Sequence, residues 1–176
     1  MVTKGAPPPL QFRRSRSCQK KMIATFFTRS GHLATVQVVS QSTVTADWYT
    51  NTCLPQVVEK FQEKRPKIGC RGIQFHHDNA PAYKAGITVS FLESNGLNLL
   101  GHPPYSPDLA PCDFFLFPKV KKEMRGQRFD SGDAAVDHYL HLVNSLDKSD
   151  WQDCFKQWFQ RMNKCIDANG HYFDKF

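Results

Sequence analysis

The 176-residue chain is 40% hydrophobic and holds 14 Phe, enough to fill the single core of one domain. No apolar run approaches the ~20 residues that cross a bilayer, and the Pro- and Arg-rich first 20 residues lack the apolar stretch of a secretory signal. The net charge of +7 sits entirely at the front: Met1 to Ala46 has no Asp or Glu but carries Lys4, Arg13, Arg14, Arg16, Lys20, Lys21 and Arg29, leaving 16 basic against 16 acidic residues beyond it.

A basic, acid-free stretch attracts phosphates by counterion release, or it stands as a solvated tail. The charge pattern alone leaves both open. The six cysteines (Cys18, Cys53, Cys70, Cys112, Cys154, Cys165) form no Cys-x-x-Cys pair and no paired Cys/His spacing. They read as reduced, partly buried thiols, the usage of a nuclear or cytosolic protein.

In chain order, residues 1–20 read as an extended arm, with Pro7-Pro8-Pro9 favouring polyproline II ahead of the basic cluster. Residues 21–176 form the remaining domain. Met22–Phe27 and Leu33–Val39 are β-branched and aromatic strands joined by a turn of hairpin length at Arg29-Ser30-Gly31. Thr45 is a good N-cap for a helix with Trp48, Leu54, Val57, Val58 and Phe61 inward, kinked or restarted at Pro55 and ended by Pro66. Ile73–His77 is a strand running into Asp78. A helix follows from Pro81 to the Asn95-Gly96 stop, with Val89 and Leu92 inward. Leu97–Leu100 is a second short strand.

The Pro103–Pro107 loop then leads to a helix containing Asp113, Phe114, Phe117, Val120 and Met124, bent at Pro118 and ended at Gly126. Val136, Tyr139, Leu140, Val143 and Leu146 mark the next helix. Ser149-x-x-Gln152 reads as the capping box of a last one, with a core stripe of Trp151, Phe155, Trp158, Phe159, Met162 and Ile166. The order is β-β-α-β-α-β-α-α-α, an α/β pattern with a helical C-terminal part.

Two segments carry chemistry: His77-Asp78-Asn79-Ala80-Pro81, and His102-Pro103-Pro104-Tyr105-Ser106-Pro107-Asp108-Leu109-Ala110-Pro111-Cys112-Asp113. Their closing aspartates have 34 residues between them. A strand-end Asp before a helix is by itself more often a cap. In this joint pattern and spacing, the chain from about Ala6 to Phe176 resembles the mariner branch of the Tc1/mariner transposases.

That resemblance implies an RNase H-like fold and DNA cleavage and strand transfer by three aspartates holding two divalent ions, Mg²⁺ or Mn²⁺. Asp78 and Asp113 match the second and third. The first would lie upstream of Met1, on a central strand between the hairpin and the Asp78 strand. Hard divalent ions favour short oxygen ligands and keep several waters, so one or two carboxylates per ion suffice.

The arm resembles the segment that reaches the partner subunit and transposon-end DNA. This makes Arg13, Arg14, Arg16, Lys20 and Lys21 the expected nucleic-acid contacts and a homodimer or an intact transposase subunit a possible partner. No membrane partner is implied, and the nucleus is the expected location. Tyr83 stands where mariner sequences commonly carry His. His77 is the motif residue expected near the site, and His76, on the opposite face of the strand, has no assigned role. Asp108 reads as an N-cap, and Asp47 as an acid well placed on a helix dipole. Of three readings (active nuclease, inactive DNA-binding remnant, protein-interaction module), the second fits two of three carboxylates best.

Overall fold

The computed structural model describes residues 20–38 and 43–169. Strands β1 (Met22–Thr28) and β2 (Gly31–Val38) form an antiparallel hairpin from Met22↔Val38 to Thr28↔Gly31, with a bulge at Phe26/Phe27. Gly31 has φ +136°, which side-chain-bearing residues rarely adopt, so the turn needs glycine there. Strands β3 (Ile73–His76) and β4 (Leu97–Leu100) pair in parallel, Ile73 with Leu97 through His76 with Leu100.

Among the described residues the two pairs are separate two-stranded sheets. They meet through side chains: the Phe26 ring lies 6.1 Å from Phe75 and 6.5 Å from Tyr49. Among the described residues no strand joins the two pairs, no helix is long and apolar enough to cross a membrane, and the five cysteines are free.

The hairpin is buried on both faces, which its alternation achieves. Ala24 and Phe26 join a core of Leu33, Val36, Tyr49, Leu54, Val57, Phe61, Phe75 and Leu97. Ile23 and Phe27 pack against a second core of Leu116, Val120, Tyr139, Val143 and Trp151. The first core is closed by α1 (Ala46–Trp48) and α2 (Leu54–Lys64). Thr45 caps α1 by accepting from the Trp48 amide, as its position predicts.

The second core is built by α5 (Phe117–Met124), α6 (Gly132–Asn144) and α7 (Lys148–Asp167). A chain of hydroxyls and imidazole joins α6 to the hairpin. Tyr139 Oη donates to Thr25 Oγ1 at 2.9 Å, Thr25 bonds Thr35, and His32 bonds both Thr35 and Asn144 at 2.9 Å.

Both prolines expected to disturb helices do so in one manner. A π-helical turn, Tyr49–Cys53, precedes Pro55, and another, Cys112–Leu116, precedes Pro118. Proline lacks an N–H, and a wider turn upstream lets the preceding carbonyls find other donors.

Three expectations fail. The helix drawn from Pro81 to Asn95 is two, α3 (Pro81–Lys84) and α4 (Gly86–Ser94), because Ala85 is extended at ψ 141°. The buried Thr88 hydroxyl donates to Ala82 O at 2.7 Å and holds the break. The capping box of α7 is Asp147 with Asp150 rather than Ser149 with Gln152, since a carboxylate two residues earlier already satisfies the first amides. The apolar stripe of α7 is only partly core: Trp151 and Trp158 are buried, while Phe159 is 58% and Ile166 71% exposed. Phe159 lies about 100° round the helix from Trp158, and the end of α7 outlasts the body it packs on.

Trp151 joins three elements: its ring lies 4.9 Å from Phe27 and 5.8 Å from Phe115, with 2% of its surface exposed. Trp151→Ala should therefore cost about 3–5 kcal/mol in urea denaturation, the range for emptying an aromatic site. A pH effect follows from His32, whose partial burial outweighs its bond to Asn144 and lowers its pKa below 6.5. A lowered folded pKa gives stability that is complete above 6.5 and is lost as pH falls toward the folded value. Between about pH 7.5 and pH 5 the wild type should lose more Tm than His32→Gln, which keeps hydrogen bonds without a charge to gain. Equal losses would show that His32 does not titrate with folding.

Candidate functional site

Parallel strands need a crossover, and here α3 and α4 supply it. As a result β3 and β4 end side by side, and in open α/β sheets ligands gather at such carboxyl ends. Beyond β3 the chain reads His77-Asp78-Asn79, and beyond β4 Gly101-His102. The two exits are tied twice: His76 Nε2 and His102 Nδ1 are hydrogen-bonded at 3.1 Å, and Asn79 Nδ2 donates to His102 O at 2.8 Å. Asp78 is exposed, with Oδ1 accepting the Ala80 amide at 2.9 Å. That local turn fixes its backbone and leaves the second carboxylate oxygen directed elsewhere.

Asp113 arrives through a 3₁₀ turn, Pro107–Leu109, and sits in the π-helical turn Cys112–Leu116, where its amide donates to Ala110 O at 2.8 Å. Partial burial raises the Asp113 pKa, the negative charge of Asp78 raises it further, and His102 and Lys121 oppose them. The same two carboxylates, with burial first, push the Cys112 thiol up to about 12. The two motif aspartates therefore act on one another electrostatically, Asp78 from the exit of β3 and Asp113 from the π-helical turn.

The histidines divide as alternation predicts. His77 faces Tyr83, stacked at 5.0 Å, and Phe75 edge-on at 5.5 Å, with the Tyr49 hydroxyl 3.5 Å from Nδ1. His76 faces His102 and the Trp158 ring at 4.8 Å. Burial lowers both pKa values to about 4, so both rings are neutral at pH 7 and lend the carboxylates no counter-charge. Tyr83 packs against Tyr49 at 4.5 Å, and its own pKa is pushed up to about 12, chiefly by burial. It therefore offers neither base nor cation near neutrality.

Asp108 is not an N-cap. It lies inside the 3₁₀ turn, and its carbonyl accepts from Arg161 Nη1 at 3.3 Å. The Arg161 guanidinium also lies 4.3 Å over the Phe114 ring, next to Asp113. Arg161 and Trp158 were given no site role by sequence, and His102 appeared only as the first residue of the second motif. The first two lie more than 40 residues beyond the motif on a helix that reads only as core, and no local pattern marks them. Of the expected nucleic-acid contacts, Arg13, Arg14 and Arg16 lie outside the described residues. Lys20 is exposed, and Lys21 is paired with Asp133 at 2.8 Å.

The family model for DDE superfamily endonuclease matches residues 1–135. The mariner Mos1 transposase of Drosophila mauritiana is 29% identical over 98% of this chain and 50% of its own length. Human histone-lysine N-methyltransferase SETMAR is 28% identical over 89% of this chain and 23% of its own. The chain thus spans half or less of these curated relatives. The solved Mos1 catalytic domain with Raltegravir and Mg superposes with TM-score 0.79 at 30% identity, over 88% of this chain and 77% of that one. A Mos1 paired-end complex with the left transposon end gives 0.81 at 29%, over 99% and 51%. By the family model matched over residues 1–135, the chain belongs to the DDE superfamily endonucleases, and it is similar within them to the Mos1 mariner transposase catalytic domain.

Proposed function

We propose that this chain is the catalytic body of a mariner-type transposase, that Asp78 and Asp113 are its divalent-metal ligands, and that these 176 residues alone bind DNA without cutting it. The observation that carries the reading is that Asp78, just beyond β3, and Asp113, in the π-helical turn Cys112–Leu116, lie near enough for the charge of Asp78 to add to burial in raising the Asp113 pKa. Carboxylates that repel one another favour a bound cation, and a set of oxygens near no reactive thiolate suits a hard ion such as Mg²⁺ or Mn²⁺. The solved Mos1 catalytic domains with Mg and with Mn are consistent with that choice. When bound, such ions activate the attacking oxygen and stabilise the leaving one.

The chain's own residues then hold the site in shape. Asn79 and the His76–His102 bond tie the two exits, and Arg161 braces the segment leading to Asp113. Among the described residues no group of three or more His, Cys, Asp or Glu is placed to hold a metal ion. DNA is the expected partner, as it is for the Mos1 complex with a transposon end, and residues 1–21 would carry most of the attraction.

Mn²⁺ binding, followed by electron paramagnetic resonance, should be weak in the wild type and at least about tenfold weaker in Asp113→Asn, since each ion needs one or two carboxylates. Purified chain should not nick supercoiled plasmid with Mg²⁺ or Mn²⁺. Nicking that disappears in Asp78→Asn would sink the inactive reading and require another acid in the site.

DNA binding should be indifferent to sequence and steeply dependent on salt. If four to six arm residues engage, log K against log salt should fall with a slope of roughly −4 to −5, and replacing Arg13, Arg14 and Arg16 with Ala should flatten it by about three. An unchanged slope would move the contact to the globular body. No binding at low salt would favour a protein-interaction role.

A further inference from the structure

Tyr105 stands apart from every other aromatic residue described. It is 99% exposed, whereas Phe159, the other exposed aromatic, is 58% exposed. Its backbone lies at φ +55°. Asn169 shares that region at φ +51°, but Asn tolerates it after a helix, whereas a bulky aromatic there is strained. A side chain that gains nothing from burial is thus held in a conformation that costs energy.

What holds it is rigid on both sides. On one side is His102, tied to His76 and Asn79. On the other, the Ser106 hydroxyl donates to Pro104 O at 3.0 Å, and the Leu109 and Ala110 amides donate back to Ser106 and Pro107. Prolines at 103, 104 and 107 restrict the backbone between these anchors. Leu109 and Ala110 are buried and lead directly to Asp113.

Tyr105 is therefore an exposed ring on a restrained backbone, within the segment that joins His102 to Asp113. Two residues lie between it and His102, at most about 11 Å of chain. DNA whose phosphate lies at Asp78 and Asp113 places further nucleotides within that reach, at about 3.4 Å of rise per nucleotide along a strand. An exposed aromatic ring on a restrained backbone gives up no packing when it stacks, and every base offers it a face.

We propose that Tyr105 is a stacking contact for an unpaired nucleobase within about three nucleotides of the phosphate held at Asp78 and Asp113. This rests on the DNA-binding reading above and adds to it a contact made by the ring rather than by charge. The ligand class is single-stranded or locally unpaired DNA; intact duplex, with its bases stacked inside, gains less.

The test measures anisotropy with the full chain, a labelled single strand, a duplex carrying one mismatch and the matched duplex. Tyr105→Ala should weaken binding to the single strand and the mismatched duplex about 5- to 100-fold, the range for one stacked base. It should leave the matched duplex within about twofold and the salt slope unchanged, because no phosphate contact is removed. Tyr105→Phe should keep wild-type affinity. Thermal unfolding should be the same for all three proteins, since the ring is exposed.

Wild-type affinity in Tyr105→Ala overturns the proposal while leaving DNA binding standing. Equal loss in Tyr105→Phe also overturns it, because the hydroxyl and not the ring would then be the contact. Failure of the wild type to bind any of the three DNAs removes the DNA reading itself, and the stacking contact with it.

Discussion

The candidate site exists because β3 and β4 run parallel and end together. Two parallel strands of four residues each are not stable alone in water, and their ladder is the weaker kind. They persist because Phe75 and Leu97, 6% and 1% exposed, are buried in the core that also takes the inner face of the hairpin. The geometry of the candidate site is therefore a consequence of packing, and the polar ties at the strand ends only refine it. The His76–His102 bond and the Asn79–His102 bond set the angle at which the two exits diverge; neither could bring the strands together.

The C-terminal helices enter the site by the same logic. The matched family model stops at residue 135, yet α7 supplies Trp158 against His76 and Arg161 against Asp108 and Phe114. Trp151 at the start of that helix packs on Phe27 of the hairpin. One rigid helix thus spans from the hairpin core to the segment that carries Asp113. A substitution in α7 can disturb the carboxylates without touching them, through the 3₁₀ turn that Arg161 braces.

Much of this was legible in the sequence, and what was not has physical reasons. The hairpin, the Thr45 cap, the strands before Asp78 and after Gly96, and the helix stops at glycine are local effects of backbone preference, and they stand where expected. The break at Ala85 depends on a buried hydroxyl, Thr88 to Ala82, which no propensity encodes. The start of α7 was misplaced because two capping patterns overlap, and the winner is decided by Asp150, which Lys119 also engages. The exposure of Phe159 and Ile166 reflects where the rest of the molecule ends, a tertiary fact that a helical period cannot contain. The aspartate pair was visible through its flanking motifs, while the braces from α7 and His102 were not, because they are contacts between distant segments.

The electrostatics of the site set the terms of the proposed function. Burial and then the charge of Asp78 raise the Asp113 pKa, and His76 and His77 are neutral because burial outweighs the attraction of Asp78. Tyr83 contributes no positive charge. DNA would add phosphates to this locus, where His102 and Lys121 are the side chains that oppose the Asp113 shift. Further cations would help to bring a phosphate to these carboxylates. Divalent ions can supply them locally, and the acid-free residues 1–46 at long range. The first would decide whether chemistry occurs, and the second only whether DNA arrives. On the proposed reading, affinity for DNA and the capacity to cut it are thus separable.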